Sequence, residues 1–182
     1  MKKQIISIAL TSAGLMMAAS SAFASDGTIT VKGSITSSTC KINSGSNDVT
    51  VNLPQVRTAA LASVGAVAGR TPFQMSLTDC PTASGSPSKV GVYFEPGASV
   101  DLTTGRLIPD AGTGKATGVQ VNVLNDQQQQ IKIGSASSNS QMVAVDDKGS
   151  ATLNYFAEYY AKDATVAAGS VNTRVQYSLI YQ

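Results

Sequence analysis

A chain of 182 residues without a single histidine lacks the commonest general base, every Ser–His or Cys–His nucleophile pair and most transition-metal sites. Its only glutamates are Glu95 and Glu158, so a Glu-based acid–base pair would need both. Glu95 precedes a Pro-Gly turn and Glu158 alternates outward beside Ala157 and Tyr159, which leaves both expected in solvent. Ser86-Pro-Ser-Lys89 has the S-x-x-K spacing of β-lactam-binding enzymes, but they place it at a helix start, whereas Pro87 lies in a Ser/Gly-rich loop. Gly112-Thr-Gly-Lys115 resembles a phosphate loop only at its end. Pro109 stands where the first glycine belongs, and Ala116 stands where the metal-binding hydroxyl belongs. Asp146-Asp147 opens like a calcium loop, but the later spacing fails and a turn accounts for it. Catalytic residues, cofactors and metals are therefore all expected to be absent.

The remaining chemistry is one pair of cysteines, Cys40 and Cys80. Which state they take depends on compartment, and the first 24 residues address that. Met1-Lys2-Lys3 is a positive start, Ile5 to Ala19 is a short apolar run, and Ala22-Phe23-Ala24 is a small-x-small cleavage pattern. Residues 1–24 are read as an export signal, with Ser25 the first residue of the mature chain. In an exported protein a lone cysteine pair is expected as a disulfide. Metal binding is the competing reading, disfavoured by the missing histidines. Without Lys2 and Lys3, 11 basic residues face 11 acidic ones, so no basic field is left to draw in nucleic acid.

The elements that must carry these residues alternate with a period of two. Thr28–Ile35, Val49–Leu53, Phe73–Leu77, Val90–Phe94, Val119–Leu124, Ile131–Ile133, Leu153–Tyr159 and Val171–Tyr181 all read as strands. Turn-rich stretches separate them, at 44–48, 81–88, 110–114 and 146–149. The Ala-rich Val56–Ala68 is broken by Gly65 and reads as a turn or loop, and Gln127–Gln130 reads as a polar hairpin turn. The expectation is one all-β domain, an antiparallel sandwich. Val175, Tyr177, Leu179 and Tyr181 carry the last strand to within one residue of the end, with Ile180 an unexplained apolar residue on the opposite face.

Read in order, Gly27-Thr-Ile-Thr-Val-Lys-Gly33, Cys40, Leu53-Pro-Gln-Val-Arg-Thr-Ala-Ala-Leu61, Thr71-Pro-Phe73, Leu77-Thr-Asp-Cys80, Tyr93-Phe-Glu-Pro96, Gly118-Val-Gln-Val121, Tyr159-Tyr-Ala161 and penultimate Tyr181 resemble the major structural subunits of chaperone–usher fimbriae, the type 1 pilin family. The resemblance covers essentially all of 25–182. It implies an immunoglobulin-like sandwich lacking its final strand, with the core open as a groove. It also implies an N-terminal donor arm at 25–34 ahead of a pilin domain at 35–182. Gly27, Ile29, Val31 and Gly33 would be the donor-strand residues that enter a neighbouring copy. Val175, Tyr177, Leu179, Tyr181 and Gln182 would form the C-terminal groove edge that binds the chaperone.

The partners so implied are copies of the same chain in a helical homopolymer, a periplasmic chaperone, an outer-membrane usher and other fimbrial subunits. The location implied is an extracellular fimbria reached through the periplasm, with a role in adhesion. A minor adaptor subunit is the alternative within the family. A tip adhesin would carry an extra sugar-binding domain, and a secreted hydrolase would need the catalytic pairs that are missing here.

Overall fold

The computed structural model describes residues 28–33, 35, 39–42, 46–135 and 141–182. The expected signal and Gly27 lie outside these residues. The chain divides into two units, Met1–Ile35 and Thr36–Gln182. In the first, residues 28–33 and 35 have no regular secondary structure, so the alternating Thr28–Ile35 stretch forms no strand here. Ile29, Val31 and Ile35 are 93%, 89% and 103% exposed.

The second unit is built from antiparallel strands: β1 Lys41–Ile42, β2 Val67–Thr78, β3 Lys89–Phe94, β4 Val100–Asp101, β5 Arg106–Leu107, β6 Val119–Leu124, β7 Met142–Ala144, β8 Ala151–Ala161 and β9 Tyr177–Tyr181. One sheet has the order β1-β2-β8-β6-β5-β4 and the other β7-β3-β9. The alternation in the sequence sets which face is buried. Leu153 and Tyr155 on β8, Met75 and Leu77 on β2, and Val90 and Val92 on β3 are each at most 1% exposed and fill the space between the sheets. Tyr155 lies at the centre, with Phe73 at 5.5 Å and Phe94 edge-on at 5.4 Å between ring centroids.

β2 and β8 form the longest pairing, with a register shift between Ala68 and Thr71. Gly69 occupies the shift with φ 68°, and a Cβ there would come within 3.0 Å of the Tyr159 ring. Glycine at this point allows both the turn of the strand and the approach of the ring. The bulge also points Arg70 onto the outer face of the sheet, where it changes the expected environment of Glu158.

Glu158 is not solvated but 2% exposed. Its carboxylate accepts from Arg70 Nε at 2.7 Å and from Asn122 Nδ2 at 2.9 Å. Asn122 in turn accepts from Arg106 Nε at 2.8 Å, and the Arg106 guanidinium lies 3.6 Å over the Tyr160 ring. Gln128, in the polar turn after β6, accepts from Arg70, so the turn lies over this network. The Ala-rich stretch supplies a short 3-10 turn, Thr58–Leu61, that buries Leu61, and then runs directly into β2.

Of the expected strand Val171–Tyr181 only Tyr177–Tyr181 is one, and two further expected strands are not strands. Ile131 and Ile133 are each 1% exposed but sit in a turn after β6, with the Ile131 amide bonded to the Val123 carbonyl. Val49–Leu53 is extended and alternates in burial, yet none of the backbone hydrogen bonds among the described residues involves 46–53. The reason lies in what stands beside it.

Candidate assembly groove

Two extended segments face each other across an opening onto the core. One rim is 47–53, with Val49, Val51 and Leu53 turned toward the core. The other is 171–177, where Val171, Val175 and Tyr177 are half-buried and alternate with exposed Asn172, Arg174 and Gln176. The floor between them comes from both sheets: Phe73, Met75, Phe94, Leu107, Val121, Val123, Ala157 and Tyr159. The groove encloses about 690 Å³. A second hollow of about 130 Å³ continues past Tyr159 and Val171, lined by Val56, Leu61, Val119 and Val166. Tyr159 borders both, and so forms a ridge along the floor.

The rims are extended because their sequences alternate, but no backbone hydrogen bond among the described residues joins them. Among the described residues the 171–177 backbone has partners on its outer side, where Asn172 accepts from the Asp110 amide at 2.8 Å and Gln176 from the Glu95 amide at 2.8 Å. Toward the groove its backbone has no strand partner among the described residues. This is a sheet edge above an apolar floor, the feature that binds an added strand.

One end of the groove is closed by tyrosine. Tyr177 donates its hydroxyl to the Asn47 carbonyl across the gap. Four residues on, the Tyr181 hydroxyl accepts from the Cys40 amide at 3.0 Å. Cys40 is bonded to Cys80 with the Cα atoms 4.1 Å apart, which decides the state of the cysteine pair. Burial raises the affinity of the Tyr159 and Tyr177 phenols for their protons, with Asp48 adding to the effect at Tyr177.

The expected C-terminal residues divide by position. Val175 and Tyr177 line the groove, whereas Leu179 and Tyr181 pack against the core outside its lining. The Gln182 carbonyl oxygen is held by the amides of Ser88 and Lys89 at 2.8 and 2.9 Å. Sequence reading missed the opposite rim and the floor. Their only signal was the Val49–Leu53 alternation, which fits a rim as well as a paired strand. Ile180, on the outer face, packs with Met142 over Gly91, so that a Cβ on Gly91 would overlap the Met142 sulfur.

A family model described as type-1 fimbrial protein, A, matches residues 53–182. This chain belongs to that family. It is a fimbrial subunit, a structural protein of the surface fimbria and not an enzyme. The major fimbrial subunit SMF-1 of Stenotrophomonas maltophilia is 48% identical, covering 87% of this chain and 94% of the relative. The F17 fimbrial protein of Escherichia coli is 41% identical, over 93% and 96% of the two chains. Among solved structures, an antigen and type I fimbria protein of Burkholderia pseudomallei is 27% identical with a TM-score of 0.53, over 78% of this chain and 88% of the other. A chaperone–usher pilus structure, at 21% identity and TM-score 0.62, covers 87% of this chain and 96% of its own, and shares the fold. The antiparallel pilin sandwich expected from the sequence is thereby shown.

Proposed function

We propose that this subunit polymerises head-to-tail, the arm at 25–34 of one copy, with the adjoining Ile35, filling the groove of the next. The observation that carries this reading is the groove itself: two rims without ladder partners above an apolar floor. The same chain holds exposed, same-face Ile29, Val31 and Ile35 outside that domain. An arm entering antiparallel to 171–177 would complete the sandwich. Its alternate side chains would point to the floor and its backbone would bond both rims. In that register Gly33 crosses the Tyr159 ridge, where a side chain would be obstructed, and Ile35 reaches the smaller hollow. Burying each Ile or Val is worth about 1.5–3 kcal/mol. A heterologous contact of this kind does not close on itself, so it builds a filament.

The rest of the pathway follows from the same groove. A bare sheet edge is an aggregation hazard, so the exported chain needs a strand in the groove before its neighbour arrives. A periplasmic chaperone supplies that strand, and an outer-membrane usher exchanges it for the next arm. Residues 1–24 are the export signal that delivers the chain there. The test is Ile29→Asp, which puts a charge where an apolar pocket must receive it. The variant should still co-purify with the chaperone but give no fibres by electron microscopy. Normal fibres would overturn the arm assignment.

A further inference from the structure

We propose that Tyr181 is a positioning residue for assembly, coupling the groove edge that receives one arm to the root of the arm that the same subunit donates. This inference rests on the donor-arm reading above. Cys40 is held by three links: its disulfide to Cys80, its amide to the Tyr181 hydroxyl at 3.0 Å, and the pairing of its neighbour Lys41 with Thr78. It is the first position after 35 whose links to the sandwich are described. Of the three links, only the Tyr181 contact comes from β9, the strand that continues the 171–177 rim.

Tyr181 lies on β9, which pairs with β3 along one edge and has no strand along the other among the described residues. A strand bonded on one edge opens more readily than a central one. Each opening withdraws the hydroxyl and leaves the Cys40 amide without its acceptor. Tyr177, on the same face four residues earlier, donates its own hydroxyl to the Asn47 carbonyl. The strand thus clasps the first segment of the domain at two points. A strand added along 171–177 would satisfy the free edge leading into β9, hold it shut, and so keep the Cys40 amide bonded. A subunit whose groove is filled then presents a firmer arm root than one whose groove is empty.

The experiment is amide hydrogen exchange of Cys40 in the isotope-labelled mature chain, with and without a synthetic peptide of residues 25–35. Exchange should slow by about tenfold when the peptide binds, the scale of one hydrogen bond kept rather than lost. Tyr181→Phe should bind the peptide yet show no such slowing. If the peptide binds and Cys40 exchange in the natural chain does not change, the coupling is refuted whatever the variants do. Equal slowing in Tyr181→Phe refutes it too. If the peptide does not bind, the donor-arm reading itself fails and the coupling falls with it.

Discussion

Arg70 donates its Nε to the Glu158 carboxylate at 2.7 Å, joining a bulge on β2 to the middle of β8 on the face turned away from the core. The two side chains are unequally placed: that of Glu158 is 3% exposed and that of Arg70 38%. Removing Arg70 would leave a buried carboxylate with Asn122 as its main partner. A fully enclosed pair broken in this way costs about 3–5 kcal/mol. Because water reaches Arg70, Arg70→Ala should cost less, about 2 kcal/mol. Glu158→Gln, which keeps the shape, should cost about 1 kcal/mol. Urea unfolding midpoints of the two variants give the comparison, and equal losses would contradict it.

Gly91 makes a second, independent point of sensitivity. A Cβ there would lie 2.6 Å from the Gln141 carbonyl oxygen and overlap the Met142 sulfur. Met142 can rotate away, but the Gln141 backbone cannot without disturbing the β3–β7 pairing at Gly91 and Met142. Gly91→Ala should therefore destabilise by about 1–3 kcal/mol, and Met142→Ala in the same chain should restore only part. Full restoration would show that the side chain alone sets the limit.

Alkaline pH should weaken the fold. Tyr155 holds its proton well above the usual phenol range because it is buried, with Asp126 adding to the effect, and Tyr159 and Tyr177 are raised by burial. In the unfolded chain these phenols ionise near pH 10. Above that the unfolded state binds fewer protons than the folded one, so stability present below about pH 10 is lost as pH rises further. Urea midpoints at about pH 8 and about pH 10.5 should show the drop, and Tyr155→Phe should flatten it.

The disulfide should matter through the unfolded chain. Cys40 and Cys80 are separated by 40 positions, and closing such a loop is worth about 4 kcal/mol on the chain-entropy account. Cys40→Ser should lower periplasmic yield and urea resistance by that order. An unchanged midpoint would show that the reduced chain keeps the loop closed by other contacts.

The paired strands were legible wherever alternation met a partner. Leu153–Tyr159 and Val90–Phe94 read as strands and are strands, because each has neighbours on both edges. Val49–Leu53 carries the same pattern and makes no ladder, since alternation reports which face is apolar and says nothing of whether a strand lies alongside. Ile131 and Ile133 misled for a related reason: two buried residues two apart fit a turn as well as a strand. Glu158 looked solvated because its partner, Arg70, is 88 residues away and reaches it only through a bulge. Ile180 had no visible purpose until Gly91 was seen beneath it. The open groove itself followed from a family resemblance and not from any residue pattern.

The unpartnered rims at 47–53 and 171–177 have a thermodynamic consequence. On the proposed reading, a strand from outside finishes the fold, and the melting temperature is not a property of the chain alone. Its stability is set by mass action, rising with the amount of free strand and its affinity. Heating curves of this chain should therefore shift to lower temperature on dilution, and to higher temperature when the 25–35 peptide is added.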